Sequence, residues 1–395
     1  MKYRTYLWHN RISMFSSYVI HNLLYRNSKK IEKEKVKKVL VVSLDYIGDN
    51  ILSSPVFPVI KENFPNASIW IMVGEWTKDI YRAHPYVDRI VSYNCAWLNR
   101  GKIKWGIKKR FGVLLGIYKE KFDLIIDIRG SFGTLFLALL KASKYRADLK
   151  VLFAEDLLKR FRRKFLKTRE TNFLDIRKPY QVLDIFKYLG IFPDDKPEVS
   201  VYIPEEDRKN LKDILIKKGV DLNQQIVVFC PGNNNKFKLW QNEKWAKIGD
   251  LVIEKYGAQL VISGSKHDGN AIQNIISFMK HRPINLAGIS LMEEAELLNI
   301  SKLCVCLDSG PMHIAGALKT PLVGLFGMNS PDICAPWTDK SILVYHRLSC
   351  SASCEENDEM NCNAECMKAI SFEEVSEAVE HFLVKRTTYR VMRKI

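Results

Sequence analysis

Short apolar runs alternate with longer mixed segments from Lys37 onward. The runs are six to nine residues long and predict buried strands; they lie at 38–44, 67–74, 88–93, 122–130, 225–232, 258–265, 283–288, 302–310 and 321–327. The segments between them are typical of helices. Strands that alternate with helices predict a parallel sheet covered on both faces, so the expected fold class is α/β.

The pattern is interrupted once, by a linker at 193–207 that contains three prolines, and then restarts. Two successive α/β units without a sequence repeat predict two Rossmann-like domains that face each other across a cleft. We expect an arm at 1–36, domains at 37–200 and 201–370, and a C-terminal helix with a basic tail at 371–395.

Net charge is +17, and all of the excess lies in the first half of the chain. Residues 1–200 contain 38 basic and 20 acidic residues, which gives +18, whereas residues 201–395 contain 23 and 24, which gives −1. Residues 100–170 alone hold 20 basic and 7 acidic residues. Such uneven placement predicts an anionic partner for the first half: a membrane surface, nucleic acid or a phosphorylated substrate.

The N-terminal arm spaces its apolar residues as a helix does and ends in a run of lysines and glutamates. A basic amphipathic helix of this kind either lies on an anionic membrane or packs on its own domain. No apolar run approaches the roughly 20 residues that span a bilayer. The charges throughout residues 1–38 argue against a secretory signal, so we expect a cytoplasmic protein.

The stretch LDSGPMHIAGALKTP leaves a buried strand at Asp308 and turns at Ser309 and Gly310 into a helix. The first-turn amides of such a helix, including those of Met312 and His313, lack intrahelical partners and, with the helix dipole, favour phosphate. The Asp308 carboxylate could accept hydroxyls of a ribose or sugar, and the His313 ring could donate to a phosphate. The alternative is that Asp308 and Ser309 only cap the helix.

Two further stretches place charged residues after strands. In CPGNNNKFKLW, Lys236 and Lys238 lie on a loop where an ammonium can reach a diphosphate, and solvated surface lysines are the alternative. In VSLDYIGDNILSSP, Asp45 and Asp49 surround Gly48. A carboxylate there is either a helix cap or a catalytic base at the edge of a cleft. The sequence has neither a P-loop nor a dinucleotide fingerprint, which disfavours NTP hydrolysis by that route and NAD chemistry.

Together these stretches resemble the bacterial heptosyltransferases that build the lipopolysaccharide inner core, glycosyltransferase family nine. The resemblance rests on VVSLDYIGDNILSSPVFPVIKENFPNASIWIMV, PGNNNKFKLW and DSGPMHIAGALKTPLVGLFGMNSP. The stretches FDLIIDIRGSFGTLFLAL and LAGISLMEEAELLNISKLCVC match in place and order, so that the likeness covers about residues 37–383. It implies the GT-B fold, with an N-terminal acceptor domain and a C-terminal domain for a nucleotide-diphospho-sugar, and inverting transfer without a catalytic metal.

The resemblance also implies a role for each candidate residue. It makes Asp49 the general base that takes the proton of the acceptor hydroxyl, with Asp45 as the second candidate. It implies that Lys238 and the start of the helix in DSGPMH hold the leaving diphosphate. It further implies that Asp308 holds hydroxyls of the donor sugar.

The partners follow from the same resemblance. It implies ADP-heptose as donor, a lipopolysaccharide core or similar lipid-linked saccharide as acceptor, and no required cofactor. Because the basic first half suits such an acceptor or an anionic leaflet, we expect peripheral attachment to the inner face of the plasma membrane and no nucleic-acid partner. Two departures leave other nucleotide sugars open: GNNNKFK replaces small and hydroxyl residues, and GSKHDGNAI lacks a plainly placed glutamate, for which Asp268 is the candidate replacement.

Two other functions fit parts of the sequence. A non-catalytic basic protein bound to membrane or nucleic acid explains the charge but gives no reason for DSGPMH. A GT-B epimerase acting on a free nucleotide sugar explains DSGPMH but needs no basic acceptor half. We therefore favour a glycosyltransferase.

The chain contains nine cysteines, and cytoplasmic residence predicts thiols rather than disulfides. Four of them form two CxxxC pairs: Cys350, Cys354, Cys362 and Cys366. Four thiolates can hold a structural zinc ion, but CxxxC is looser than the usual zinc knuckle. We favour reduced loop thiols and keep structural zinc as the alternative.

Overall fold

A computed structural model of the chain describes residues 18–19, 22–25, 31–94, 105–129, 137, 142–148, 151, 177–193, 196–350 and 362–384. The chain divides into two compact units, Met1–Tyr202 (unit 1) and Ile203–Ile395 (unit 2). Each unit contains one parallel sheet accompanied by helices. The predicted α/β class with two Rossmann-like units is therefore confirmed.

Unit 1 is built on a five-stranded sheet with strand order β3-β2-β1-β4-β5. The strands are β1 (Lys38–Ser43), β2 (Ser68–Val73), β3 (Arg89–Ser92), β4 (Phe122–Asp127) and β5 (Ser143–Asp148). All four pairings are parallel, and β1 lies between β2 and β4. The strand order thus reverses beside β1, and in open α/β sheets ligands bind beyond the strands' carboxyl ends at such a reversal.

The described helices of unit 1 are α1 (Ile47–Leu52), α2 (Val56–Asn63), α3 (Ile107–Lys119) and α4 (Lys178–Asp184), with 3-10 turns at Lys33–Lys35, Lys78–Tyr81 and Ile185–Leu189. Helix α2 buries Val56, Phe57, Val59 and Ile60, the spacing of one helix face. Helix α3 buries only Leu114 and Ile117. Tyr25, in the predicted arm, is buried, so this part of the arm packs within unit 1.

Unit 2 contains a six-stranded parallel sheet with strand order β11-β10-β9-β6-β7-β8. The strands are β6 (Ile226–Cys230), β7 (Gln259–Ile262), β8 (Ile284–Asn285), β9 (Leu303–Leu307), β10 (Leu322–Phe326) and β11 (Ser341–Tyr345). Its described helices are α5 (Glu205–Lys217), α6 (Asn242–Tyr256), α7 (Gly269–Ser277), α8 (Leu291–Ile300), α9 (Gly310–Ala317), α10 (Pro331–Cys334), α11 (Glu365–Ala369) and α12 (Phe372–Val384), with 3-10 turns at Lys236–Lys238 and Lys266–Asp268. In its core the rings of Trp240 and Trp245 lie 5.4 Å apart.

The nine predicted strands are all present, but the apolar pattern missed two more. Strand β5 has the polar sequence SKYRAD, which lacks an apolar run. Its Arg146 is nevertheless buried, because it pairs with two carboxylates, 3.0 Å from Asp127 and 3.2 Å from Asp148. Strand β11 follows the last predicted run. Within the described ranges, no helix combines the length and apolar character that a membrane crossing requires.

Candidate active site

Asp45 lies just beyond the carboxyl end of β1, where the strand order of unit 1 reverses. Its side chain is buried, with a residue exposure of 7%. Arg129, two residues beyond the end of β4, forms an ion pair with Oδ1 of Asp45 and donates to the Leu44 carbonyl at 3.3 Å. Lys178, the first residue of α4, places its ammonium 3.8 Å from Oδ2. Two cations therefore converge on one buried carboxylate.

The pKa of Asp45 is raised to about 7, first by burial and then by the charge of Asp49, while Lys178 and Arg129 act in the opposite direction. Burial penalises the charged form of a carboxyl group, and a like charge nearby adds to that penalty. Asp45 therefore ionises near neutral pH rather than near pH 4.

Asp49 is the third residue of α1 and is half-buried. The N-cap position of this helix is occupied by Tyr46, and no side chain caps it. The helix-cap interpretation of Asp49 is therefore wrong. Its carboxylate lies close enough to Asp45 to raise the pKa of that residue, so unit 1 carries two interacting acidic groups at the carboxyl edge of its sheet.

Neighbouring hydrogen bonds fix the backbone around this pair. The indole Nε1 of Trp76 donates to the carbonyl of Asp45 at 3.1 Å. The Asn50 amide donates to the Tyr46 carbonyl at 2.9 Å, and the Tyr81 hydroxyl donates to Oδ1 of Asn50 at 2.9 Å. Tyr81 is buried, and that burial raises the pKa of its phenol. These contacts hold the turn between β1 and α1 in one conformation.

Asp308 lies at the carboxyl edge of the unit 2 sheet, directly after β9, one of the two middle strands, and is 7% exposed. Its Oδ2 accepts from the Lys238 ammonium at 2.7 Å and from the Asn329 amide at 2.7 Å. The Asn233 amide donates to its carbonyl at 2.9 Å. The second carboxylate oxygen, Oδ1, has no contact of this kind among the described residues.

The interpretation of the DSGPMH stretch as helix caps is wrong for Asp308, whose carboxylate bonds the lysine and the amide instead. Ser309 does occupy the N-cap position of α9, but its hydroxyl donates to the Leu307 carbonyl at 3.2 Å and caps no amide. Pro311 lies in the first turn, where its missing N–H costs nothing. Met312 is fully buried and His313 is 8% exposed.

The loop after β6 brings Lys238, but not Lys236, to this cluster. Asn235 shapes the loop. Its Oδ1 accepts from the backbone N–H of Phe237 at 3.0 Å, and its backbone N–H donates to Oδ1 of Asn233 at 2.9 Å. Lys236 is exposed and lies over the Phe237 ring, 5.0 Å from its centroid. The expectation of a solvated lysine is therefore correct for Lys236 and wrong for Lys238.

A second acidic group of unit 2 was not predicted. Glu294 of α8 is buried, and its Oε1 accepts from the Ser263 hydroxyl at 2.8 Å, just after β7. Burial raises its pKa to about 7. Asp268 lies nearby in a capping box, with Oδ2 accepting from the Ser265 amide at 2.8 Å and hydroxyl at 2.6 Å. A Cβ on Gly232 would lie 2.5 Å from the Asp268 carboxyl carbon, so the glycine makes room for that group.

The structure therefore places Asp45 close to Asp49, and Lys238 in contact with Asp308. Sequence reasoning missed Arg129, Lys178, Trp76 and Glu294. Arg129 had a usable signal, because it is a charged residue at the end of the predicted run 122–130; Lys178 and Trp76 had none, because they come from distant parts of the chain.

The proposed zinc site falls partly outside the described residues, since Cys354 is not among them. Cys350 is exposed, Cys362 is half-buried and Cys366 is buried, and burial raises the pKa of the Cys366 thiol. Within the part of the chain that the structure describes, no group of three or more His, Cys, Asp or Glu residues could hold a metal ion.

Each Rossmann-like unit therefore carries charged residues at its sheet edge: paired carboxylates in unit 1, and a lysine beside a helix start in unit 2. A profile of glycosyltransferase family 9 (heptosyltransferase) matches residues 115–364. The match covers more than half of the chain, so the chain belongs to this family.

Individual relatives agree with that membership. Lipooligosaccharide heptosyltransferase 2 of Haemophilus influenzae is 24% identical over 319 residues, which cover 78% of this chain and 88% of the relative. Lipopolysaccharide heptosyltransferase 3 of Escherichia coli K12 is 25% identical over 349 residues, which cover 86% and 96%.

Solved structures show the same fold. The family 9 glycosyl transferase of Veillonella parvula has a TM-score of 0.73 at 22% identity, covering 88% of this chain and 97% of its own. The E. coli ADP-heptose lipopolysaccharide heptosyltransferase II has a TM-score of 0.65 at 21% identity, covering 88% and 98%. The predicted GT-B fold class is confirmed.

Proposed function

We propose that the chain transfers heptose from ADP-heptose to a lipopolysaccharide core or similar lipid-linked saccharide, with inversion at the anomeric carbon. The observation that carries the proposal is the carboxylate pair Asp45 and Asp49 at the strand reversal of unit 1. The donor follows from the relatives, which are described as heptosyltransferases. It also agrees with the E. coli heptosyltransferase WaaC, whose structures are described with ADP and with ADP-2-deoxy-2-fluoro heptose.

In this proposal Asp49 is the general base. An acceptor hydroxyl is a weak nucleophile, so Asp49 takes its proton as the oxygen attacks the anomeric carbon. The bond from that carbon to the diphosphate breaks, and ADP leaves with the bonding electrons. Asp49 suits this role better than Asp45, because it is half-buried and no ion pair is found for it among the described residues.

Asp45 then acts as a positioning residue. It holds Arg129 and Lys178 at the carboxyl edge of the sheet, where both cations can face a phosphorylated acceptor. We assign unit 1 to the acceptor for this reason and because it carries the basic excess of the chain.

Unit 2 binds the donor in this proposal. Lys238 and the first-turn amides of α9 offset the charge that develops on the leaving diphosphate, which is the largest electrostatic demand of the reaction. Asp308 is already bonded to Lys238 and Asn329 through Oδ2, and its Oδ1 accepts a sugar hydroxyl. Transfer proceeds without a catalytic metal, since the lysine and the helix start supply the positive charge.

The test is release of nucleoside diphosphate by the purified chain from ADP-heptose and from common UDP-, GDP- and dTDP-sugars, each with and without a truncated lipopolysaccharide acceptor. Acceptor-dependent release from ADP-heptose is the expected result. Formation of an epimeric nucleotide sugar without any acceptor and without release of nucleoside diphosphate, checked by analysis of the remaining donor, would point to the GT-B epimerase. No release of nucleoside diphosphate from any donor, together with tight salt-sensitive binding to polyanions, would contradict the transferase proposal and favour a non-catalytic basic protein.

A further inference from the structure

Helix α3 of unit 1 carries an exposed apolar stripe. Its members are spaced four, four and three residues apart and so lie on one side of the helix: Ile107, Phe111, Leu115 and Tyr118. Their exposures are 82%, 53%, 36% and 43%, in that order. We call these four residues the α3 stripe. Scattered exposed apolar residues are ordinary, but a continuous row of four large ones marks an interaction surface.

The stripe borders the side of α3 that packs on unit 1. Leu114 and Ile117 are buried, and Arg110 turns inward to donate from Nε to the Asn94 carbonyl at 3.0 Å. Leu114 lies three residues from Phe111 and four from Tyr118, so the stripe is the exposed edge of the apolar side that packs on unit 1. Packing on unit 1 buries Leu114 and Ile117 but leaves the four stripe side chains exposed.

Lysines border the stripe on its solvent side. Lys108 and Lys119 are exposed and lie eleven residues apart, on the same line along the helix, next to the stripe. Residues 101–119 contain six basic residues and no acidic one. An apolar row flanked by lysines on one helix is the arrangement of helices that lie in the plane of a bilayer surface, with the apolar side chains below the headgroups and the ammonium groups among the phosphates.

We infer that α3 is the membrane-docking surface of this chain and that its partner is a bilayer containing anionic phospholipids. Charge decides the partner: a second copy of this basic unit would bring Lys108 and Lys119 against like charges, whereas an anionic leaflet neutralises them. The inference rests on the proposed function for its purpose, because docking brings unit 1 to a lipid-linked acceptor.

Vesicle binding of the full chain tests the inference without any substrate. The probe is vesicles of phosphatidylcholine with about 30% phosphatidylglycerol, which gives them a negative surface potential, against vesicles of phosphatidylcholine alone. We expect the wild-type chain to sediment with the anionic vesicles. The double variant Ile107→Ser/Phe111→Ser and the double variant Lys108→Glu/Lys119→Glu should each lose at least about tenfold in affinity, since one interfacial lysine contributes about fivefold.

Matched controls come from unit 2. Phe278→Ser removes a phenyl ring with the same 53% exposure as Phe111. Lys212→Glu reverses an exposed lysine on α5. Both controls should bind vesicles as the wild-type chain does. Circular dichroism and heat unfolding of the α3 variants should match the wild type, because the replaced side chains are exposed.

Transfer to a water-soluble, deacylated acceptor separates this inference from the proposed function. The α3 variants should keep that activity while losing vesicle binding. Absence of vesicle binding by an active wild-type chain would overturn the docking surface and leave the transferase standing. Vesicle binding by a chain with no transferase activity would do the reverse. A wild-type dimer that the serine variant converts to a monomer, without vesicle binding, would assign the stripe to self-association and overturn the inference.

Discussion

Acidic residues lie at the carboxyl edges of both sheets, but the charged and polar groups around them differ. In unit 1, Asp45 and Asp49 interact as like charges, and Arg129 and Lys178 lie on Asp45. In unit 2, Asp308 has its Oδ2 shared between an ammonium and an amide. A carboxylate bonded to a cation and an amide is a stable acceptor of hydrogen bonds, whereas a half-buried acid beside another acid is suited to take a proton. This difference is why our proposal assigns proton transfer to the first sheet edge and the nucleotide sugar to the second.

A second contrast concerns the two acids whose pKa is raised to about 7. For Asp45, burial and the Asp49 charge raise the pKa while two cations oppose them. For Glu294, burial raises the pKa, the Ser263 hydroxyl opposes it, and the charge of Asp268 adds to the increase. No cation is among the groups that shift the pKa of Glu294. Glu294 is therefore a simpler example than Asp45 of a carboxyl whose pKa is raised by folding.

The largest expected effect follows from replacing Asp49. Asp49→Asn keeps the size of the side chain but cannot take a proton, so kcat of transfer should fall by about 10³. Steady-state release of ADP measures this. The control Asp79→Asn changes a partly exposed acid of the same unit, paired with Arg82 at 3.4 Å, and should keep kcat. An Asp49→Asn variant with normal turnover would remove Asp49 from the role of base and leave Asp45 as the candidate.

The next effect concerns the pH dependence of stability through Glu294. Its folded-state pKa of about 7 lies above the ordinary value of 4.5. Between these values the folded chain keeps a proton that the unfolded chain has lost, so the free energy of unfolding falls as pH rises through that window. Glu294→Gln removes this loss, which amounts to about 3 kcal/mol.

Urea unfolding at pH 5 and pH 7 checks the Glu294 effect. The glutamine variant should gain on the wild type as pH rises. Glu293→Gln, at the half-buried neighbouring position in the capping box of α8, should follow the wild-type profile. Parallel profiles for wild type and Glu294→Gln would mean that Glu294 ionises normally in the folded chain.

The smallest effect concerns the support of the turn after β1. Trp76→Phe removes the donor to the Asp45 carbonyl and should cost about 1 kcal/mol of stability. Because that bond positions the turn carrying both acids, kcat should also fall severalfold. Trp240→Phe removes a bond of the same 3.1 Å length, to the Ile370 carbonyl in unit 2. Stability should fall there too, with kcat unchanged; equal kcat in both variants would remove the positioning role of Trp76.

The sequence predicted strand positions well because buried parallel strands are continuous apolar runs. It failed at β5, where Arg146 is buried between carboxylates and no apolar run exists. Strand β11 was also missed, although its sequence SILVY is an apolar run. Lys238 and Asp308 could be predicted separately, and they meet because β6 and β9 are parallel neighbours whose carboxyl ends share one edge. Lys178 could not be placed, since its approach to Asp45 spans more than a hundred residues. Glu294 was hidden in LMEEAELL, a stretch that reads as an ordinary helix.

Calorimetric titration of ADP into two variants tests most directly whether unit 1 performs proton transfer and unit 2 binds the diphosphate. The account predicts that Asp49→Asn binds ADP within about twofold of the wild-type Kd. It predicts that Lys238→Met weakens ADP by at least about tenfold, since a charge-assisted hydrogen bond contributes about 1.5–3 kcal/mol. Weakened ADP binding in Asp49→Asn, or unchanged binding in Lys238→Met, would contradict the assignment of proton transfer to unit 1 and of the diphosphate to unit 2.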